Sequence, residues 1–291
     1  MFGKQAGRWA VGLAVLVILS GPAAGADETY DLRGPAPKKG QVYHSKGSIT
    51  IKDGDLEMTV GGETIKAKQT MVMLGEEEDK FLAVEGRNVT RCQTRVIKDR
   101  VSTATDLGGQ ELKEEEPGDL EGEVLIGDRV GEGKWKYALV DNGPTDKQRK
   151  KLEKREGPES DDPLYPEGKV KVGHTWSSGA EALKRSLGKG LTDLEGKVGQ
   201  TFARVEEVGG EACAVIEMKG KVKGRLKDED GDLEMTMEFK ATTWRSLRTA
   251  VDVKERYAGT ITISGKQKSD GMTVQLHLKG PFTAEGITTL K

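Results

Sequence analysis

Three histidines, His44, His174 and His277, are the first candidates for acid–base or metal chemistry in this chain. None of them has a second histidine or a cysteine at the spacing of a metal site, and no H-E-x-x-H motif occurs. A catalytic base also needs an acid that orients it, and the sequence names none. The histidines therefore predict neither a metal centre nor an acid–base pair.

Two short motifs resemble those of enzymes but lack what the chemistry requires. Ser186-Leu187-Gly188-Lys189 has the serine–lysine spacing of penicillin-binding enzymes, yet the companion Ser-Asp-Asn and Lys-Thr-Gly triplets are missing. The segment from Gly190 to Lys197 resembles a phosphate loop, but it is one residue too long and has Val198 where a hydroxyl is needed. We therefore predict that the protein is not an enzyme and holds no cofactor.

An acidic stretch, Asp228-Glu229-Asp230-Gly231-Asp232, resembles part of a calcium-binding loop. A complete loop of that type needs a further glutamate ligand and flanking helices, whereas Leu233 begins a strand at once. We interpret the stretch as a solvated hairpin turn and predict no metal site.

The methionines form the pattern that is most specific to this chain. Methionine is flexible and polarizable and is common on surfaces that accept varied apolar partners, whereas ordinary cores prefer Leu, Ile and Val. A closed Met-rich core and an open concave groove for acyl chains both fit the pattern. Seven methionines fall on the apolar parity of predicted strands: Met58, Met71, Met73, Met218, Met235, Met237 and Met272. For the groove, the predicted ligand-binding residues are Met71, Met73, Met235, Met237 and Phe239.

Alternation of apolar and polar residues between Gly-rich or acidic turns predicts β-strands over most of the chain. The clearest strand runs from Leu233 to Phe239, and the short connections favour antiparallel meanders. A bend is expected near Gly86. The predicted turns are Asp53-Gly54-Asp55, Gly61-Gly62, Gly75 to Asp79, and Gly209-Gly210.

One heptapeptide occurs twice. Residues 53–59 and 230–236 both read Asp-Gly-Asp-Leu-Glu-Met-Thr, and each copy is interpreted as a turn that enters a strand. The repeat fits a duplicated half-sheet and equally fits convergence on good turn chemistry.

The amino terminus has the pattern of a secretory signal. Lys4 and Arg8 precede an apolar run from Trp9 to Leu19, and small residues lead to Ala24-Gly25-Ala26. We expect cleavage after Ala26 and an exported protein, periplasmic or extracellular, with no transmembrane segment in the mature chain. Removal of Lys4 and Arg8 leaves 44 basic residues (46 − 2) against 48 acidic ones, a balance that argues against nucleic acid as a partner.

The middle of the chain, residues 143–168, is charged and contains four prolines. Thr145 with Gln148 predicts a capping box and a short helix to about Glu156. Leu152 is its only large apolar residue, so we expect an exposed helix or linker. A second helix is predicted from Ser178 to Leu187, docked through Leu183 and Leu187.

Two cysteines, Cys92 and Cys213, lie far apart on predicted strands. The expected compartment permits a disulfide, but a lone cysteine on a strand is also a common small apolar residue. The sequence leaves both open.

The order of these elements resembles that of the periplasmic lipoprotein carriers. The likeness lies in an exported chain with an antiparallel sheet, helices inserted mid-sheet and a Met-rich face, and it implies a half-open β-barrel that carries acyl chains. This chain departs from that family in two ways: no helix precedes the first strand, and the charged segment 143–168 is unusually long. The resemblance therefore transfers no binding residues. Val172-Gly173-His174-Thr175-Trp176 is also similar to a segment of uncharacterised exported bacterial β-proteins.

These observations combine into one expectation. The fold is mainly β, a curved antiparallel sheet or half-open barrel of two related halves with one or two short helices mid-chain. Its parts are a signal peptide (1–26), a first β half (27–142), a linker or exposed helix (143–168), and a docked helix with a second β half (169–291). We expect a non-catalytic binding protein for a lipid or other apolar or amphiphilic ligand. The alternative is a structural or protein-interaction module of the cell envelope.

Overall fold

The computed structural model describes residues 28–131, 133–158, 164–179, 182, 191–227, 231–269 and 272–291. The predicted signal peptide therefore lies outside the described residues. The strands are β1 (Tyr30–Asp31), β2 (Val42–Val60), β3 (Glu63–Glu85), β4 (Asn88–Asp106), β5 (Glu111–Pro117), β6 (Val124–Gly131), β7 (Lys134–Leu139), β8 (Lys169–Val170), β9 (Thr175–Gly179), β10 (Leu191–Val208), β11 (Glu211–Lys227), β12 (Gly231–Ser246), β13 (Asp252–Ser269) and β14 (Met272–Leu290), and the helix is α1 (Asp146–Lys154).

Twelve of these strands form one antiparallel sheet, in the order β7-β6-β4-β3-β2-β14-β13-β12-β11-β10-β9, with β5 beside β4. Two meanders, β2 to β7 and β9 to β14, meet where β2 pairs with β14. Within the described residues β7 and β9 end the order without pairing to each other, so the sheet is curved and not closed. The predicted mainly-β class and antiparallel sheet are confirmed.

Two of the four predicted turns are hairpin turns, and two are not turns. Gly61-Gly62 and Gly209-Gly210 join β2 to β3 and β10 to β11, all four with positive φ, as a type I′ hairpin loop requires. Residues 53–55 instead form a bulge inside β2, where Asp53 takes a φ of 48° and the register shifts against β3. Gly75 to Asp79 lie within β3, because β2 and β4 pair with that strand on both sides.

The bend expected near Gly86 is a reversal of the chain. Gly86 has a φ of 60° and lies in the connection between β3 and β4. The two copies of the heptapeptide consequently differ in structure. The first is a bulge in the middle of a strand, while residues 231–236 of the second begin β12.

One face of the sheet, called the inner face below, holds two apolar clusters. The main cluster is formed by residues of β2 and β10 to β14 together with four residues from outside the large sheet, and Phe202, Ile216 and Val222 are fully buried in it. The second lies toward the other end of the first meander and contains Phe81, Cys92 and aromatic residues of β7. Because cross-strand pairs share a face, the register assigns the remaining side chains of these strands to the inner or the outer face.

In the middle segment, seven of the nine residues of α1 are exposed, but the helix is held to the sheet at one position. The Thr145–Gln148 capping box is present and begins α1. However, Leu152 is only 4 % exposed and belongs to the second cluster, and Arg155 forms a 2.6 Å ion pair with Glu77 of β3. One leucine and one arginine thus dock a helix that composition alone suggests is solvated.

The second predicted helix is wrong at its start. Ser178 and Gly179 belong to β9, which pairs with β10, and the rest of the predicted helix, apart from Ala182, lies outside the described residues. Trp176 of β9 packs against the main cluster and donates from its indole nitrogen to the Leu164 carbonyl at 2.7 Å.

Among the described residues, no helix is both long enough and apolar enough to cross a membrane. Helix α1 has only nine residues.

The two cysteines are free thiols in different clusters. Cys92 lies in the second cluster, and Cys213 lies in a small third cluster with Val215 and Trp244.

Candidate functional site

The five residues predicted to bind a ligand all lie on the inner face, in two different environments. Met235, Met237 and Phe239 are 4–7 % exposed within the main cluster. Met71 is half-buried at the margin of that cluster. Met73 is half-buried beyond the margin, between its cross-strand partners Ile49 and Val101.

Ile49 and Val101 are 40 % and 38 % exposed, high values for apolar residues on the core face of a sheet. With Met71 and Met73 they form an apolar patch across β2, β3 and β4, called the open strip below. Large apolar side chains that share one exposed patch indicate a binding surface better than scattered ones do. The open strip is therefore the first part of the candidate site.

Covering segments explain why the same face is closed over the second meander. Leu32, Leu164, Tyr165 and Val170 come from outside the large sheet, and all four are buried in the main cluster. Two of them are held by polar contacts: Trp176 donates to the Leu164 carbonyl, and the Tyr165 hydroxyl donates to Asp252 at 2.8 Å.

A row of three glycines adjoins the open strip. Gly286, Gly47 and Gly75 lie opposite one another on β14, β2 and β3. A Cβ atom at Gly75 would meet no atom within 4 Å, so this part of the surface is open. Because glycine has no side chain, the inner face is bare backbone at this row, between the open strip and the next inner-face residues along the same strands.

Those next residues form the floor of a cavity of about 450 Å³, called the rim cavity below. Ser45 and Thr288 share a 3.0 Å hydrogen bond there, and the rings of Tyr43 and Phe81 lie 5.0 Å apart. The cavity is bounded by the strap, defined as residues 33–41, and by the rim hairpin, defined as residues 247–251 between β12 and β13.

The strap is fixed at both ends. Arg87 donates to the carbonyls of Gly34 and Arg33 at 3.0 and 3.2 Å, and the Gly40 N–H donates to the Phe81 carbonyl at 2.8 Å. Gly34 has a φ of 60°, and a Cβ there would collide with Ala250 of the rim hairpin, so only glycine fits this contact. Pro35 and Pro37, which stiffen the segment between, line the cavity.

Basic side chains outnumber acidic ones around the cavity. Arg245 is 5 % exposed; it donates to the Leu32 carbonyl, pairs with Asp252 at 2.9 Å and stacks on the Tyr165 ring. That pair is internally neutral. The other charged residues of the lining are Arg33, Lys38, Arg248 and Asp79.

Asp79 is the titratable group with the most unusual environment in the cavity. Burial raises the pKa of Asp79 to about 6, although the hydroxyl of Thr94 donates a hydrogen bond to its carboxylate. Nearby Glu77 raises the pKa further, and Arg155 opposes the rise. A carboxyl group that titrates near pH 6 at a cavity wall is typical of functional sites, and it also occurs in structural networks.

Cys92 and Tyr137 lie next to this carboxylate but are not activated. The Cys92 sulfur is 3.7 Å from the Tyr137 hydroxyl, which donates to the Glu156 carbonyl at 3.1 Å. Burial raises the pKa of both groups. Because the thiolate is the reactive form of cysteine, Cys92 is a packing residue here.

Sequence reasoning missed several residues of this site. The strap contains no helix or strand, and Arg245 lies 213 residues from Leu32, whose carbonyl accepts its hydrogen bond. The signal that was present is the pair of prolines in Gly34-Pro35-Ala36-Pro37, which is typical of a stiff extended segment.

The histidines have partners that the sequence did not identify. His44 contacts Glu76 at 2.8 Å, and His174 stacks on Trp176. Within the described ranges no three His, Cys, Asp or Glu side chains are grouped to hold a metal ion.

Comparison with known proteins gives little further information. No family model matches the chain, and no curated protein matches it. Among solved structures, a DUF1329 family protein from Desulfovibrio piger aligns over 87 % of this chain and 85 % of that chain, with 11 % sequence identity and a TM-score of 0.21. Similarity at that TM-score supports no conclusion about function.

Proposed function

We propose that this protein is exported and binds an apolar or amphiphilic ligand, without catalysis, on the inner face of its sheet. The observation that carries the proposal is the open strip, where Ile49 and Val101 remain about two-fifths exposed on the face that is closed over the second meander. The amino-terminal signal pattern supports export.

The energetic argument rests on the strip's apolar area. Covering exposed apolar surface contributes about 25 cal/mol per Å², so a ligand chain that covers Ile49, Met73 and Val101 gains stabilisation from each. Methionine adapts its shape to different chains. The adjacent glycine row offers a continuation of the surface toward polar groups, and a ligand with one apolar and one polar end fits this arrangement.

Two isoleucines with nearly equal exposure provide the test. Ile49 (40 %) lies on the inner face, whereas Ile287 (42 %) lies on the outer face of the neighbouring strand, opposite Lys46 and Lys254. The uncharged fluorescent probe N-phenylnaphthylamine should bind the wild type and be displaced by a long-chain fatty acid. Ile49→Glu should weaken probe binding at least about 10-fold, since a charge in the contact costs more than 1.4 kcal/mol.

Ile287→Glu is the matched control and should bind the probe as the wild type does. Both variants should remain folded by circular dichroism, because both side chains already contact water. Equal loss of binding in the two variants, or a wild type that binds no probe, would refute the proposal.

A protein-interaction module is the second candidate, and the edge strand β5 favours it. Along this strand all seven residues are exposed, and it pairs with β4 alone among the described strands. Four glutamates, a lysine and a proline occupy it, however, and such residues discourage the addition of another strand.

A further inference from the structure

The rim cavity and the open strip lie on the same strands of the same face. Along β2 the inner-face positions are Ile49, Gly47, Ser45 and Tyr43 in turn, of which the first belongs to the strip and the last two to the cavity floor. At a rise of about 3.3 Å per residue, Ile49 and Tyr43 are about 20 Å apart. One extended ligand of lipid length spans both, across the glycine row.

The charges differ along this path. A carboxylate oxygen of Glu255 lies beside the glycine row, 3.5 Å from the place where a Cβ atom at Gly286 would stand. This carboxylate disfavours an anionic group there. Four basic side chains line the cavity (Arg33, Lys38, Arg245 and Arg248) against the two carboxyl groups of Asp79 and Asp252, and Arg33 also pairs at 3.3 Å with Glu167, whose side chain is largely exposed. The path therefore leads from an apolar surface, past a carboxylate, to a site with excess positive charge.

Lys38 and Arg248 are the two cations best placed to contact a ligand. They line the cavity from two different segments, Lys38 on the strap and Arg248 on the rim hairpin. No ion pair with Lys38 occurs among the described residues. Arg248, whose side chain is 71 % exposed, pairs at 3.0 Å with Glu211, whose side chain is 21 % exposed. Water around the arginine screens this pair and weakens it.

We propose that the rim cavity receives the anionic head group of a single-chain amphiphile whose apolar chain lies on the open strip, with Lys38 and Arg248 as the charge contacts. This inference rests on the proposed function. A volume of about 450 Å³ lies within the usual range of small-ligand sites, and it accommodates a carboxylate or phosphate head with part of its chain.

The test compares three ligands of equal chain length: a fatty acid, an alkyl phosphate and a fatty alcohol. Displacement of N-phenylnaphthylamine at pH 8 gives the three affinities. The acid, the phosphate or both should bind about 10-fold more tightly than the alcohol, the size of one charge-assisted hydrogen bond, and their order identifies the head group. The double variant Lys38→Gln/Arg248→Gln should reduce the anions to the affinity of the alcohol and leave the alcohol unchanged.

Lys46→Gln, a charge change on the outer face of β2, is the matched control and should alter none of the three affinities. If the alcohol binds the wild type as tightly as both anions, the head-group site is refuted while the proposed function stands. The same conclusion follows if the double variant retains the preference for anions. If none of the three ligands binds, the proposed function fails, and this inference fails with it.

Discussion

The two meanders of the sheet have the same alternating pattern of Met and β-branched residues but different surfaces. Over β10 to β14 the inner face is covered by Leu32, Leu164, Tyr165 and Val170, and Met237 is 7 % exposed. Over β2 to β4 the open strip carries no comparable cover among the described residues, and Ile49 is 40 % exposed. Strand periodicity decides which face is apolar, whereas the segments outside the sheet decide whether that face is core or binding surface.

The largest effect expected from this difference is on stability. Met237→Lys buries an unpaired charge among close-packed residues and should cost about 4 kcal/mol or more, enough to unfold a marginally stable domain. Met73→Lys places the same charge on the open strip, where water reaches the ammonium group, and should cost less than about 1 kcal/mol. Thermal melts of the two variants measure the contrast, and similar melting temperatures would show that both halves are closed or both open.

The second comparison concerns buried polar groups. In the covered half, Arg245 and Asp252 compensate each other at 2.9 Å. In the other half, burial raises the pKa of Asp79 to about 6 from 3.8, so folding disfavours its charged form. Compared with an uncharged residue at this position, Asp79 therefore does not lower the free energy of unfolding below about pH 4. It lowers it by a growing amount between pH 4 and 6, and by the full amount above pH 6.

Asp79→Asn should therefore stabilise the protein at pH 8 by about 3 kcal/mol, since the pKa difference is about two units and each unit corresponds to about 1.4 kcal/mol. The amide oxygen still accepts the hydrogen bond from Thr94. Urea unfolding at pH 4 and pH 8 measures the effect. A gain of equal size at both pH values would mean that something other than the ionisation of Asp79 is responsible.

The sequence predicted well what depends on local pattern. Strand class, the Gly61-Gly62 hairpin and the capping box at Thr145 follow from alternation, from positive φ at paired glycines and from side-chain capping. It failed where distant pairing overrides local chemistry. Asp53-Gly54 and Gly75 to Asp79 read as turns, but flanking strands on both sides hold them in the sheet.

The candidate site was less predictable than the fold. Strand parity places Met71 and Met73 on the inner face, but the same parity selected Met235, Met237 and Phe239, which lie buried in the cluster that Leu32, Leu164, Tyr165 and Val170 help to close. The rim cavity joins residues as far apart as Arg33 and Leu290. No single-sequence pattern encodes such a contact, because its partners meet only after the sheet has formed.

The smallest expected effect on stability accompanies a specific effect on binding, at Gly75. A Cβ there meets nothing within 4 Å, and the backbone does not need a positive φ. Gly75→Val should therefore leave the free energy of unfolding unchanged or raise it by up to about 1 kcal/mol, because valine favours strands and glycine does not. A thermal melt measures this effect.

The new isopropyl group stands on the glycine row, between the open strip and the rim cavity. A long-chain fatty acid that spans both should lose about 10-fold or more in affinity, while N-phenylnaphthylamine, which needs only the strip, should bind as before. Parallel loss of both ligands would place the probe on the glycine row itself, and unchanged affinity for the fatty acid would show that no ligand crosses from the strip to the cavity.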